Sequence, residues 1–252
     1  SVALPRGFCF GGWTPMAEGD SFGPDRYFDT GVHVPRYEES IEWLKPWLRY
    51  EGPMIVPPSP NLPMCRKLLE VGGCGVWTRM LTAAMPWVSV DGTQGDIRLG
   101  WDATPEFDAV AFMEVMEHLW DVDPAPGEWP DEFKGTGMRN VLRSIYGSLK
   151  PGGVMLLTTP NAGSCNAIWD AMAGGAGVTF RPHFREYSCG EVRWFVEAAG
   201  FRVVRHETLE IWQKWGSREL YARVLAVLRH LGVSDQMRGE DQFMIAQKPV
   251  DA

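Results

Sequence analysis

KLLEVGGCGVWT, residues 67–78, is the stretch of sequence from which the fold can be inferred. A short apolar run, a glycine cluster and a helical pattern follow one another, which predicts a strand, a tight turn and a helix start. Glycine suits such a turn because a ligand must approach the main chain closely there. The first N–H groups of the helix could hold a phosphate, as in dinucleotide folds. This loop departs from the dinucleotide pattern because Cys74 and Val76 stand at the alternate positions after Gly72.

Two acidic residues downstream extend the same interpretation. Asp91 closes a second apolar run about twenty residues on, where a carboxylate would meet the ribose hydroxyls of an adenosine ligand. Glu114 comes just after the apolar run 108–113, and open α/β sheets bind ligands at the carboxyl ends of their strands. Both residues are therefore predicted to lie at one ligand-binding edge.

Alternating strand and helix patterns predict an α/β fold. The segment 92–106 is too short for a helix and a full strand, so we expect the sheet to be trimmed there. Ser188 with Glu191 forms a capping-box pattern at a helix start. The predicted strands lie near 67–71, 87–91, 108–113, 153–158, 201–209 and 242–249, and the predicted helices near 35–48, 76–84, 136–148, 189–199 and 216–231.

Four motifs in order resemble those of class I S-adenosylmethionine-dependent methyltransferases, in particular the group that modifies sugars, quinones and secondary metabolites. They are LEVGGCG at 69–75, FDAVAFMEVMEHL at 107–119, LKPGGVMLLTTPN at 149–161, and HFREYS at 183–188 followed by EAAGF at 197–201. The resemblance implies a Rossmann-like, seven-stranded, mostly parallel sheet with helices on both faces and an antiparallel C-terminal strand. It also implies an N-terminal lid and helix at 1–63 and a cofactor-binding domain at 64–252.

S-adenosylmethionine is the cofactor that the resemblance implies. Arg36 and Tyr37 would reach its methionine carboxylate, and Asp102, preferred over Asp96, would meet the adenine amino group. Asp91 would bind the ribose. The remaining cofactor-binding residues expected along the strand ends are Glu70, Gly72, Gly73, Gly75, Met113 and Glu114.

Methyl transfer from a sulfonium is an in-line displacement, so the protein mainly has to align the acceptor and exclude water. A hydroxyl acceptor benefits from a general base, and histidine suits that role near neutral pH. The resemblance places His183 beside the acceptor pocket and makes it the first candidate. His118 is the second, because its i, i+4 spacing from Glu114 would put both side chains on one helix face. Glu114, Glu117 and His118 lack the two-histidine spacing of metalloproteases, so no metal ligand is assigned.

The net charge of −8 disfavours nucleic acid as a partner. The five cysteines are scattered and odd in number, as expected for thiols in a reducing compartment. No apolar stretch approaches the length of about 20 residues that crosses a bilayer, and the N-terminus lacks a signal-peptide pattern. We therefore expect a cytoplasmic protein with a small-molecule acceptor and no membrane or nucleic-acid partner, while association into a homo-oligomer stays open.

These observations predict S-adenosylmethionine-dependent methyl transfer to a small molecule, first to a hydroxyl group and next to an amine. The long Gly-rich and aromatic segments 1–34 and 162–187 would cover such an acceptor. Two alternatives stay open. A nicotinamide-dependent oxidoreductase shares the strand, turn and helix order, and a non-catalytic scaffold with a decayed cofactor site would explain Cys74, Val76 and the short segment 92–106.

Overall fold

The computed structural model describes residues 33–49, 66–72, 75–121, 135–175, 183–211 and 218–251. Most of the predicted lid and Gly73 of the glycine cluster lie outside these residues. The division of the chain at residue 63 therefore stays a prediction, since only 33–49 of its first part is described.

A six-stranded sheet forms the centre of the described structure, in the order β2-β1-β3-β4-β6-β5. Strands β1 to β4 pair in parallel, whereas β6 runs antiparallel to both of its neighbours. The chain crosses back between parallel strands, which brings their carboxyl ends to one edge. The strands are β1 (Arg66–Val71), β2 (Val88–Gly92), β3 (Phe107–Met113), β4 (Leu149–Pro160), β5 (Arg202–Leu209) and β6 (Asp241–Gln247).

Helices cover both faces of this sheet. The helices are α1 (Val34–Leu44), α2 (Gly75–Ala84), α3 (Thr136–Ser148), α4 (Cys165–Met172), α5 (Cys189–Ala198) and α6 (Arg218–His230). Apolar side chains of α1 and α2 pack on one face, and those of α3 and α5 pack on the other. The sixth helix, predicted as an insertion, packs instead on α4 through Val224, Leu228 and Cys165.

The position of strand β3 in the sheet explains why its sequence is an apolar run without alternating polar residues. Val110 and Phe112 point to the α3 and α5 side, while Ala109 and Ala111 point to the α1 and α2 side. All four side chains are fully buried. A central parallel strand covered on both faces is apolar along its buried part, here 109–112, and this strand places Glu114 at the end of a rigid core element.

Two expectations are corrected by the structure. The sheet has six strands in the described residues instead of seven, because the trimmed segment 92–106 forms a 3-10 turn at Ile97–Leu99 and no strand. Glu114 and His118 do not share a helix face, since the chain leaves β3 through a left-handed residue at Glu114 and then forms a 3-10 turn at Met116–His118. The fold class, the helices on both faces and the antiparallel last strand are confirmed.

Candidate active site

The glycine turn after β1 is a close contact between two loops. Gly72 has φ +92°, and a Cβ at this position would lie 2.4 Å from Val115 Cγ2. Its N–H donates to Thr93 Oγ1 at 3.3 Å, and the Thr93 N–H donates to the Glu70 carbonyl at 3.1 Å. Only glycine fits here, because both the backbone angle and the space exclude a side chain. The loops after β1, β2 and β3 therefore meet at the carboxyl edge of the sheet.

Acidic side chains end the first two strands. Glu70 is buried in β1 and accepts a hydrogen bond from the Thr78 hydroxyl of α2. Asp91 lies in β2 opposite Leu69 and is exposed to solvent. Gly75 begins α2, directly after the two residues that lie outside the described chain. The predicted residues of the first two strand ends are thus brought together at one edge.

Glu114 is held by contacts from two other elements. It has φ +54°, an unusual angle for a residue with a side chain, and its N–H donates to the Thr158 carbonyl at 2.9 Å. The Thr158 hydroxyl donates to Glu114 Oε1 at 2.8 Å, and Arg36 Nη1 of α1 lies 2.9 Å from Glu114 Oε2. Met113, the last residue of β3, precedes it. Strained backbone angles of this kind cluster at ligand sites.

Arg36 and Tyr37 are enclosed by the fold. The Arg36 side chain is 4% exposed, and its guanidinium lies 5.2 Å from the centre of the Tyr37 ring, which is itself core. Burial alone lowers the pKa of Arg36, but Glu114 and Asp241 outweigh that effect and raise it. Arg36 is therefore a fixed buried cation at the carboxyl edge. Its predicted contact with a methionine carboxylate stays a prediction.

Three carboxyl groups surround that one guanidinium. Glu117 and Asp241 are fully buried, and both Asp241 carboxylate oxygens lack a hydrogen-bond partner in the described residues. Burial, and then the nearby Glu114 carboxylate, raise the pKa of Glu117 and of Asp241 well above the ordinary range. An excess of buried acid over base is costly unless protons or a bound cation compensate it.

The two candidate histidines lie side by side. The rings of His118 and His183 are edge to face, with centroids 4.9 Å apart. The Phe184 and Arg185 N–H groups donate to the Glu117 carbonyl at 2.8 and 3.2 Å, which fixes the segment of His183 against the turn of His118. His183 Nδ1 lies 2.8 Å from Glu186 Oε1. The structure thus joins two histidines that are 65 positions apart in the chain.

Asp102 lies away from this group. Its neighbour Trp101 is held by Ser144 at 2.9 Å and by Ser148 at 3.0 Å, near the end of α3 that leads into the start of β4. Asp102 itself is exposed and lines an open cavity of about 380 Å³ beside α3. Asp96, the alternative, caps the 3-10 turn through the Arg98 N–H and pairs with the Arg98 side chain. The structure does not bring Asp102 to the carboxyl edge with the other predicted residues.

Sequence reasoning missed Asp241 and assigned no site role to Thr158, Thr159 or Glu186, although these three lie in the quoted motifs. Thr159 donates to Glu117 Oε2 at 2.8 Å, and Asp241 opens the last strand opposite Pro160 of β4. For Asp241 the one available signal was its position directly before an apolar strand, and charged residues are common at strand ends. Within the described ranges no helix combines the length and the hydrophobicity needed to cross a membrane.

A family profile and a relative both match the sequence of this chain. The profile of a family described as "Methyltransferase domain" matches residues 38–206. A probable S-adenosylmethionine-dependent methyltransferase of Mycolicibacterium smegmatis is 30% identical over 117 residues, which are 46% of this chain. The match spans 36% of that relative's own length.

Solved structures with a similar fold include an S-adenosylmethionine-dependent methyltransferase of Archaeoglobus fulgidus, at TM-score 0.48 and 16% identity over 86% of this chain and 97% of that one. A sarcosine dimethylglycine methyltransferase described as putative, from Galdieria sulphuraria, gives TM-score 0.45 and 14% identity, covering 87% of this chain and 86% of that one. The family assignment rests on the profile, which covers more than half of the chain. This chain belongs to the family of S-adenosylmethionine-dependent methyltransferases.

Proposed function

We propose that this protein transfers a methyl group from S-adenosylmethionine to a hydroxyl group of a small molecule. The observation that carries the proposal is the convergence of Glu70, Glu114, His118 and His183 on the carboxyl edge of the sheet, in a chain of this family. When bound, the cofactor supplies a methyl group on a sulfonium sulfur. The protein then needs neither a covalent nucleophile nor a redox group.

The residues at the edge fit such a cofactor. The Gly72 turn has no room for a side chain, so its backbone is open to close approach by a ligand. Asp91 offers an exposed carboxylate at the end of β2, the position from which an acid binds ribose hydroxyls. Arg36 provides a buried positive charge among three carboxyl groups, suited to a zwitterionic amino-acid moiety. Met113 and Glu114 supply backbone at the same edge of the sheet.

The histidine pair supports the proposal of a hydroxyl acceptor. A hydroxyl must lose its proton as the new O–C bond forms, and an imidazole accepts protons near neutral pH. Glu186 beside His183 Nδ1 orients that ring, so Nε2 faces Glu117 and His118. His183 is the first candidate for the base and His118 the second. The net charge of −8 argues for a small acceptor over a nucleic acid.

An amine acceptor is the second candidate, and a specific observation favours it. Glu114, Glu117 and Asp241 face one guanidinium, which leaves an excess of carboxyl groups in the buried part of the site. Burial and the Glu114 carboxylate raise the pKa of Glu117 and of Asp241, and a protonated amine bound beside them would favour their ionised form. Amines can also react by alignment alone, after losing a proton to solvent, without a dedicated base.

Transfer of a labelled methyl group into pools of sugars, phenols and amines tests the proposal directly. We expect label in hydroxyl-bearing small molecules; incorporation only into RNA or protein would refute the small-molecule acceptor. Calorimetric titration with S-adenosylhomocysteine and with NAD separates the other classes. Binding of NAD alone would favour an oxidoreductase, and binding of neither would favour a non-catalytic scaffold.

His183→Ala tests the assigned base. We expect turnover on a hydroxyl acceptor to fall by about 10²–10⁴, with almost unchanged affinity for S-adenosylhomocysteine. His230→Ala, an exposed histidine at the end of α6, is the matched control and should leave turnover unchanged. Full activity of His183→Ala would remove His183 from the chemistry.

A further inference from the structure

Glu117, His118 and His183 form a compact set of ligand atoms. Each offers one atom, and these atoms lie within 4.8 Å of one another. Glu117 Oε1 is 3.9 Å from His118 Nε2 and 3.9 Å from His183 Nε2. Two ligands bonded to one metal ion at about 2.0–2.2 Å can be at most about 4.4 Å apart, so small side-chain rotations would let a single ion contact all three.

The surroundings of the set also favour a bound cation. Glu117 is fully buried, and its Oε1 has no hydrogen-bond partner in the parts of the chain that the structure describes, although its Oε2 accepts from Thr159 at 2.8 Å. A buried carboxylate oxygen without a donor is costly. It points toward two imidazole nitrogens at a distance too long for a hydrogen bond but suited to a shared ion.

Glu186 adds the support that metal-binding histidines usually have. Its Oε1 lies 2.8 Å from His183 Nδ1, and the Glu186 side chain is fully buried. A carboxylate on Nδ1 holds the proton there and leaves the Nε2 lone pair for a ligand. The His118 side chain, in contrast, is 41% exposed, so the set is open toward solvent on that side.

We propose that Glu117, His118 and His183 bind a divalent first-row transition ion, and that the oxygen of the acceptor binds at one of its open positions. Two imidazoles and one carboxylate suit ions of the series from Mn²⁺ to Zn²⁺ better than Mg²⁺ or Ca²⁺, which prefer oxygen ligands. Three protein ligands leave positions for water or substrate. This set differs from Glu114, Glu117 and His118, because His183 enters only through the fold.

The consequence for the reaction rests on the proposed function. Coordination makes a hydroxyl more acidic, so its proton passes to solvent water while the oxygen lone pair forms the new O–CH3 bond. The S–CH3 bond breaks, and its electron pair stays on sulfur as the thioether of S-adenosylhomocysteine. With the ion bound, His183 and His118 act as ligands and the ion replaces the base. Binding of metal, measured without substrate, separates these two roles.

The test uses the full chain stripped with a chelator and titrated with Co²⁺, followed by visible absorption and calorimetry. We expect one ion per chain, displaced by Zn²⁺ but not by equimolar Mg²⁺. His118→Ala and His183→Ala should each weaken binding at least about 100-fold, and Glu186→Gln about 10–100-fold by releasing His183. Glu117→Gln keeps the shape of a buried side chain while removing its charge, and should weaken binding like the histidine variants. His230→Ala is the matched control and should bind as the wild type does.

No Co²⁺ binding by the wild type, or unchanged binding by His118→Ala and His183→Ala, would overturn the site. Methyl transfer that continues at full rate in the stripped protein would overturn the role of the ion while leaving the proposed function intact. One bound ion without methyl transfer to any hydroxyl acceptor would contradict the proposed function and leave the metal site standing.

Discussion

Gly72→Ala is the sharpest test of how the carboxyl edge is built. The residue has φ +92°, and forcing an alanine into left-handed backbone costs about 1–2 kcal/mol. The new Cβ would also lie 2.4 Å from Val115 Cγ2, and overpacking of this kind costs about 1–3 kcal/mol. We therefore expect the free energy of unfolding to fall by about 2–5 kcal/mol. For a chain of this size that lowers the melting temperature by about 5–15 °C.

Gly95→Ala is the matched control, because Gly95 has φ +78° and nothing within 4 Å of an added Cβ. Gly95→Ala should lower the free energy of unfolding only by the cost of placing alanine in left-handed backbone. The difference between the two variants in urea unfolding therefore measures the contact with Val115. Combining Gly72→Ala with Val115→Ala should recover about 1–3 kcal/mol relative to the sum of the single changes. Equal loss in Gly72→Ala and Gly95→Ala, with additive behaviour of the double variant, would refute the close contact between the two loops.

Three further outcomes are expected. Burial lowers the pKa of His33 to about 4 from 6.5, so between these two pH values the unfolded chain binds more protons than the folded chain. The free energy of unfolding should therefore be at its full value above pH 6.5 and fall by at most about 3 kcal/mol toward pH 4. Urea unfolding of His33→Gln at the same pH values should lack that fall. Asp91→Ala should weaken S-adenosylhomocysteine binding by one to two orders of magnitude at unchanged melting temperature, because a charge-assisted hydrogen bond contributes about 1.5–3 kcal/mol. Asp102→Ala should bind the same ligand with normal affinity. Equal losses of affinity in calorimetry would contradict the placement of Asp102. Ser188→Ala removes the capping box with Glu191 and should cost about 0.5–2 kcal/mol in denaturant unfolding, with no change in cofactor affinity.

Much of the framework was available from local patterns. The apolar run of β3, the capping box of α5 and the glycine turn after β1 each depend on backbone preference and burial over a few residues. The same patterns indicated that the segment 92–106 was too short for a helix and a full strand. Such signals are readable in sequence because the physical forces that create them act within one turn of helix or one strand.

The position of the reactive groups depended on the tertiary structure. Asp241 reaches the neighbourhood of Arg36 and Glu114 only because β6 inserts beside β4 in the sheet. His183 meets His118 because the backbone of its segment bonds to the Glu117 carbonyl. Neither contact has a periodicity or a spacing that the sequence could display.

The sequence by itself determined the strands, every described helix except Cys165–Met172, and the fold class. It also determined the edge at which Glu70, Asp91 and Glu114 would lie, because parallel strands separated by helices must end on the same side. Tertiary structure alone decided that Glu114 and His118 share no helix face, that Asp102 lies beside α3, and that Glu117 faces two imidazoles. The reason is that strand order and loop packing join residues far apart in the chain, and the resulting geometry depends on long-range contacts that no local pattern encodes.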